Sequence, residues 1–300
     1  MVPFQFNLQN ETMHRKKLGL ICLALYAVLC SHSLQAQSAN SFSSDRLGMA
    51  NTPSVVGKHY LQLQFGGSFG SYYRGSGFRS NYSARDWNSN YFLRFGINAT
   101  TEINVGLELN RQQNRNGDLA SPIGLQPRLS NPTRINGIRA GIRHSFFTED
   151  DHDFSLALLV LLSNNQSGFG QLGSYGYWVN LLGAKQISNR IAATGNIGIQ
   201  HKSSFTGPEL NYVVNFSFDM GYNMGLFLEA KNEAVLFEQE NIIQWYNSGL
   251  FWKLTPNFML DLHGGYNRTF SGSFSEKYWY GAMGISWKIK AIATKKPATL

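Results

Sequence analysis

Charge is scarce in this chain. Asp, Glu, Lys and Arg supply 15% of its 300 residues, against roughly 25% in a soluble globular domain. Long apolar runs are scarce too. Hydrophobic residues make up 43% of the chain, yet they gather into a single long run, residues 18–30. That distribution excludes a bundle of membrane helices, each of which needs about 20 consecutive apolar residues. Cysteine is nearly missing: Cys22 and Cys30 are the two, and both lie inside that run.

Residues 1–36 read as a secretory leader, with Met13 as an alternative start. His14-Arg15-Lys16-Lys17 is a basic head, 18–30 the apolar middle, and Ser31 to Ala36 a polar stretch ending in a small residue before Gln37. The run is short for a membrane anchor. Leu29 stands before Cys30, where a lipoprotein site wants a small residue. A chain cleaved after Ala36 carries no cysteine. It therefore has no disulfide framework, no thiol nucleophile and no Cys-ligated metal. The formal charge of the whole chain is +8, and it stays positive without the leader. In an exported chain this points to anionic headgroups or an anionic solute, and away from nucleic acid.

What remains is alternation. In Thr255-Pro256-Asn257-Phe258-Met259-Leu260-Asp261-Leu262-His263-Gly264, a tight turn leads into a strand. Phe258, Leu260, Leu262 and Gly264 share one face, and Asn257, Met259, Asp261 and His263 the other. The same unit recurs at 58–69, 89–98, 101–111, 133–147, 154–163, 175–187, 190–202, 210–220, 224–235, 242–254 and 277–289. Connections after even-numbered strands are short. Those on the other side are longer, with 70–88 and 112–132 the longest. Short turns at one end and longer loops at the other describe an outer-membrane barrel. The expected fold is all-β: a transmembrane antiparallel up-and-down barrel of about 12 strands. It spans 58–290, preceded by an irregular periplasmic lead-in at 37–57 and followed by a tail at 291–300. An open sheet edge in lipid would leave backbone groups unpaired, so closure is required. Tyr91, Phe146, Tyr177, Trp252, Tyr266 and Trp279 are expected in interfacial girdles.

Several stretches resemble an outer-membrane family named for the MetA pathway of phenol degradation and also described as transporter-like. They are Ser44-Asp45-Arg46, Val55-Val56-Gly57-Lys58, Leu61-Gln62-Leu63-Gln64-Phe65-Gly66, Leu93-Arg94-Phe95-Gly96-Ile97, 254–261 and Gly281-Ala282-Met283-Gly284-Ile285-Ser286-Trp287. The chain departs from that pattern at Leu47, where proline is expected, and at Gln64, where an acid is expected. The resemblance implies an outer-membrane channel or transporter and supplies no binding residues.

A charged side chain facing lipid costs about 2–4 kcal/mol at the bilayer midplane. Ionisable residues opposite the apolar positions should therefore face the lumen. The candidates are Arg94, Glu108, Arg139, Arg143, Asp219, Glu229, Lys231, Glu233, Asp261 and His263. They fit a polar path for a small-molecule solute, with a salt-bridged interior that only holds the barrel's shape as the second reading. Twelve strands lie between the roughly 8 that side chains fill and the 16–18 that leave a channel.

The alternatives to a channel are a non-conducting barrel that is structural or binds through the Tyr- and Arg-rich loop 70–88, and an outer-membrane lipid hydrolase. His201-Lys202-Ser203 has a His two residues before a Ser, but no Asn partner is identifiable. His144 and Ser145 are adjacent and so face opposite sides. No catalytic set, metal site or cofactor motif stands out. The expected partners are outer-membrane lipid, the barrel-assembly machinery and the solute, with no nucleic acid.

Overall fold

A computed structural model describes residues 44, 45, 49–75, 82–115, 133–148, 152–165, 174–201, 207–236, 241–271 and 274–291. The stretch read as a leader, residues 46–48 of the lead-in, residues 76–81 and 116–132, and residues 292–300 lie outside these, as do Lys202 and Ser203.

Twelve strands run in order. They are β1 (Tyr60–Gly75), β2 (Tyr82–Gly96), β3 (Thr101–Arg115), β4 (Arg134–Phe147), β5 (Ser155–Asn165), β6 (Ser174–Ser188), β7 (Ile191–His201), β8 (Glu209–Gly221), β9 (Met224–Val235), β10 (Asn241–Thr255), β11 (Phe258–Ser271) and β12 (Phe274–Lys290). Each pairs antiparallel with its sequence neighbours, and β1 pairs with β12 from Tyr60↔Lys290 to Gly75↔Ser275, closing the barrel. Closure leaves no unpaired edge, which is what a sheet in lipid requires.

Several strands run further toward the loops than the alternation reaches. β1 and β2 stay paired to Arg74↔Tyr82, across residues that read as loop. The reason is physical. Beyond the bilayer the outer face has no need of apolar residues, so the ladder continues while the pattern stops.

The short turns lie at 97–100, 189–190, 222–223 and 256–257. Local polar groups hold them. Asn98 Oδ1 accepts from the Thr100 amide at 2.8 Å, and Asp219 Oδ1 accepts from the Gly221 amide at 2.8 Å. Tyr222 and Asn223 take positive φ between β8 and β9. Most of the register shifts cluster at this end: Ser145/Phe147, Gln186/Ser188, Asp219/Gly221 and Lys253/Thr255. β1 starts and β12 ends here as well, so this is the periplasmic end of an outer-membrane barrel.

The barrel is inside-out relative to a soluble domain. Leu262 and Met283 are 57% and 66% exposed on the outer wall, while their neighbours Asp261 and Ala282 are buried. Among the largest fully buried side chains are Arg94, Arg143, Glu102 and Glu209. The outward-facing cations Arg85, Arg111, Arg268 and Lys277 are exposed toward the loop ends of their strands, clear of the bilayer midplane where a charge is most costly. β5 departs from the polar interior. Ala157, Leu159 and Leu161 turn inward and pack with Leu182 and Trp178 of β6 into an apolar patch on the lumen wall.

Candidate functional site

The described part of the lead-in, residues 44, 45 and 49–57, forms no strand and is drawn up into the lumen. The sequence carries few elements that would let it do otherwise. Pro53 has no amide to offer a strand ladder. Gly57 turns the chain at φ 87° and His59 at 64°. The exit passes so close to β2 that a Cβ on Gly96 would run into the Gly57 carbonyl oxygen. Within the segment, Asp45 accepts from the Thr52 amide at 3.1 Å.

One anchor is ionic. Arg143 Nη2 lies 2.5 Å from Asp45 Oδ2, and Arg94 Nη1 lies 3.5 Å from the same oxygen. Arg94 grips Glu102 with two donors, Nε at 2.8 Å and Nη2 at 3.0 Å. The Ser54 carbonyl accepts from both arginines, at 2.6 Å and 3.2 Å, and the Val56 amide donates to Glu102 at 2.8 Å. Two cations and two anions thus balance in a cluster whose side chains are at most 4% exposed. Burial pushes the Asp45 carboxyl up, but the Arg143 and Arg94 guanidiniums outweigh it and hold the carboxyl below its ordinary value.

The other anchors use the segment's backbone. The Met49 and Ala50 amides donate to the two oxygens of Glu229 at 2.6 and 2.7 Å. Asn196 brackets Asn51, accepting from its amide and donating to its carbonyl, both at 2.7 Å. Ser44 and Ser286 share a hydroxyl hydrogen bond of 2.7 Å. Asn247 donates to Glu229 at 2.7 Å, and Tyr280 donates to Asn247 at the same distance.

Asp45, Met49 and Asn51 also border a lumen cavity of about 540 Å³. Its wall follows the barrel around. Tyr278 and Tyr280 of β12 stack at 5.8 Å and 15°, with Trp245 of β10 edge-on to both. Gln64, Asn88 and Asn90 follow on β1 and β2, and Asn180, Gln200 and Asn211 on β6 to β8. Its charges come in pairs. Arg139 pairs with Glu108 and lies over the Trp178 ring at 5.1 Å. Lys231 pairs with Glu233 at 2.7 Å. Trp178 donates to Gln200, which donates to Glu209 at 2.7 Å and Glu233 at 2.9 Å.

The ten candidate residues therefore fall into separate groups. Arg94, Arg143 and Glu229 hold the lead-in. Glu108, Arg139, Lys231, Glu233 and His263 border the cavity. Asp261 is buried beside His263, 3.3 Å from its Nδ1. Asp219 is exposed at the β8–β9 turn, where it receives the Gly221 amide. Sequence reasoning missed Glu102, although it alternates in step with Asn104 and Glu108. It also missed Asp45, which no strand period could reveal. Among the described residues, no group of three His, Asp or Glu side chains converges as metal ligands would. His201 faces Tyr177 at 5.9 Å and lies 3.4 Å from the Gly207 carbonyl.

No family model and no curated protein matches the sequence. Solved structures do. The chain is similar to the COG4313 outer membrane channel from Pseudomonas putida F1, with a TM-score of 0.55 and 10% identity, over 85% of this chain and 99% of that one. It is also similar to the NanC porin (TM-score 0.48, 9% identity, 76% and 100% covered) and to the CymD monoaromatic hydrocarbon channel (0.44, 8%, 77% and 89%). The likeness is one of fold: a bacterial outer-membrane β-barrel.

Proposed function

We propose that this chain is an outer-membrane channel for a small solute, closed on its periplasmic side by residues 44, 45 and 49–57. The observation that carries the reading is the arrangement of that segment. Its ties to the wall are hydrogen bonds and ion pairs at a few points, with a polar cavity directly against it. A barrel built only as a scaffold has no need of a cavity lined by amides and paired charges. An unpaired lumen charge would trap or repel a solute, whereas the pairs Glu108–Arg139 and Lys231–Glu233 leave a mild path. On this reading the partners are outer-membrane lipid around the wall, the barrel-assembly machinery that inserts it, and the solute inside.

The competing reading is a non-conducting barrel that keeps the segment as a permanent filling. The buried ion cluster favours it, because breaking such a cluster is costly. Planar-bilayer recording separates the two. A channel gives brief openings in the wild type and sustained conductance after deletion of 44–57. A folded deletion variant that never conducts overturns the channel reading. Lipid incubation with fatty-acid detection would expose a hydrolase.

A further inference from the structure

Arg94 and Arg143 converge on one small planar anion, and the chain supplies that anion itself. We propose that these two guanidiniums form the binding site for a carboxylate carried by the solute, and that Asp45 occupies the site as an internal surrogate until such a solute displaces it. The inference rests on the channel reading above and adds the chemical class of what passes.

Charge balance is the first argument. With Asp45 in place, Arg94 and Arg143 are matched by Asp45 and Glu102 in a cluster almost closed to solvent. If Asp45 leaves, Arg94 and Arg143 face Glu102 alone, an excess of one positive charge packed into the lumen wall. Lys288 of β12 lies within electrostatic reach of Arg94 and Glu102 and adds to the excess. The segment can therefore leave readily only if another anion takes the vacated place. Its remaining ties differ in kind. The Met49, Ala50, Asn51 and Val56 amides donate to wall oxygens, and water can satisfy these groups once they are released.

Geometry is the second argument. Arg143 donates to both oxygens of Asp45, from Nη1 at 3.3 Å and Nη2 at 2.5 Å. A flat two-oxygen group suits this approach, since guanidinium and carboxylate pair as complementary planar forks. A neutral solute has the wrong charge for it. Position is the third argument. Asp45 borders the cavity of about 540 Å³, so a solute there already stands beside the carboxylate it must replace.

The test uses the leaderless chain in planar bilayers at constant chloride. Benzoate and acetate are compared with benzamide and acetamide, and phosphate serves as a second anion. The acids are expected to raise the open probability several-fold while the amides leave it unchanged. Asp45→Asn should open without added acid and flatten the response. It should also bind benzoate more tightly by calorimetry, on the order of tenfold if the wild-type site is free a tenth of the time. The proposal fails if the amides act as well as the acids, if phosphate opens the barrel equally, or if Asp45→Asn keeps the wild-type response. A heat-modifiable gel shift verifies that each variant is folded. If the 44–57 deletion conducts but the wild type ignores carboxylates, the channel reading stands and this inference falls. If the deletion never conducts, both fall.

Discussion

Asp45 and Arg143 stand 98 positions apart in the chain and 2.5 Å apart in space, both almost wholly buried. This contact ties an irregular segment to the wall of the barrel, and it sets the terms on which the segment can move.

Removing the carboxylate should release the segment. Taking one partner from a buried ion pair costs about 3–5 kcal/mol, here drawn from docking, because the barrel ladder does not depend on Asp45. The two cysteines are Cys22 and Cys30, so a protein produced without residues 1–36 gives a clean readout. Ala50 is buried against Glu229, so Ala50→Cys should label slowly with a maleimide, and Asp45→Asn should speed that labelling strongly. Equal rates in the two backgrounds would show that this contact does not hold the segment.

Glu229 should matter next. It receives two amides of the segment and the Asn247 side chain. Glu229→Gln keeps one acceptor and loses the charge. Hydrogen bonds to charged groups contribute about 1.5–3 kcal/mol. Labelling at Ala50→Cys should rise again, by less than for Asp45→Asn, with the gel shift of the folded barrel unchanged.

Acid should act in a defined window. The docked Asp45 carboxyl sits below its ordinary value of 3.8. A carboxyl held lower when docked than when free strengthens docking above the free value and loses that strength as pH falls through the docked one. The charged groups against it are Arg143 and Arg94; Glu102 pairs with both arginines, and Lys288 is within electrostatic reach of Arg94 and Glu102. The barrel should therefore stay closed from neutral pH down to about 4, the ordinary carboxylate range, and open only below it. Opening between pH 7 and 5 would assign the gate to another group.

The exit of the segment gives a steric test. Gly96→Val puts a branched side chain where the Gly57 carbonyl oxygen lies. The segment should be pushed off its seat, with sustained conductance and faster Ala50→Cys labelling. A closed Gly96→Val channel would mean that the exit path has room to shift.

The two faces of β11 should respond oppositely to the same charge. Leu262→Arg places a cation against lipid and should cost about 2–4 kcal/mol in urea unfolding from liposomes. His263→Arg, one residue on, faces the lumen near Asp261 and should be far milder. Equal losses would contradict the assigned facing.

How much of this could be read beforehand varies by element. Strand β11 was legible residue by residue, because lipid outside and water inside impose a period of two. Arg94, Arg143 and Glu229 were legible as inward charges for the same reason. Their grouping was not. Arg94 and Arg143 meet because β2, β3 and β4 lie side by side with Glu102 between them, and Glu229 meets Asn215 and Asn247 because register puts them on one rung.

Alone, the order of residues determined a closed membrane sheet, its strand count and its two faces, since each follows from local alternation and the cost of unpaired backbone in lipid. Tertiary structure alone decided that the lumen is filled at its periplasmic end. Residues 44, 45 and 49–57 follow no strand period, and they are held by carboxylates and guanidiniums that only the closed barrel brings together.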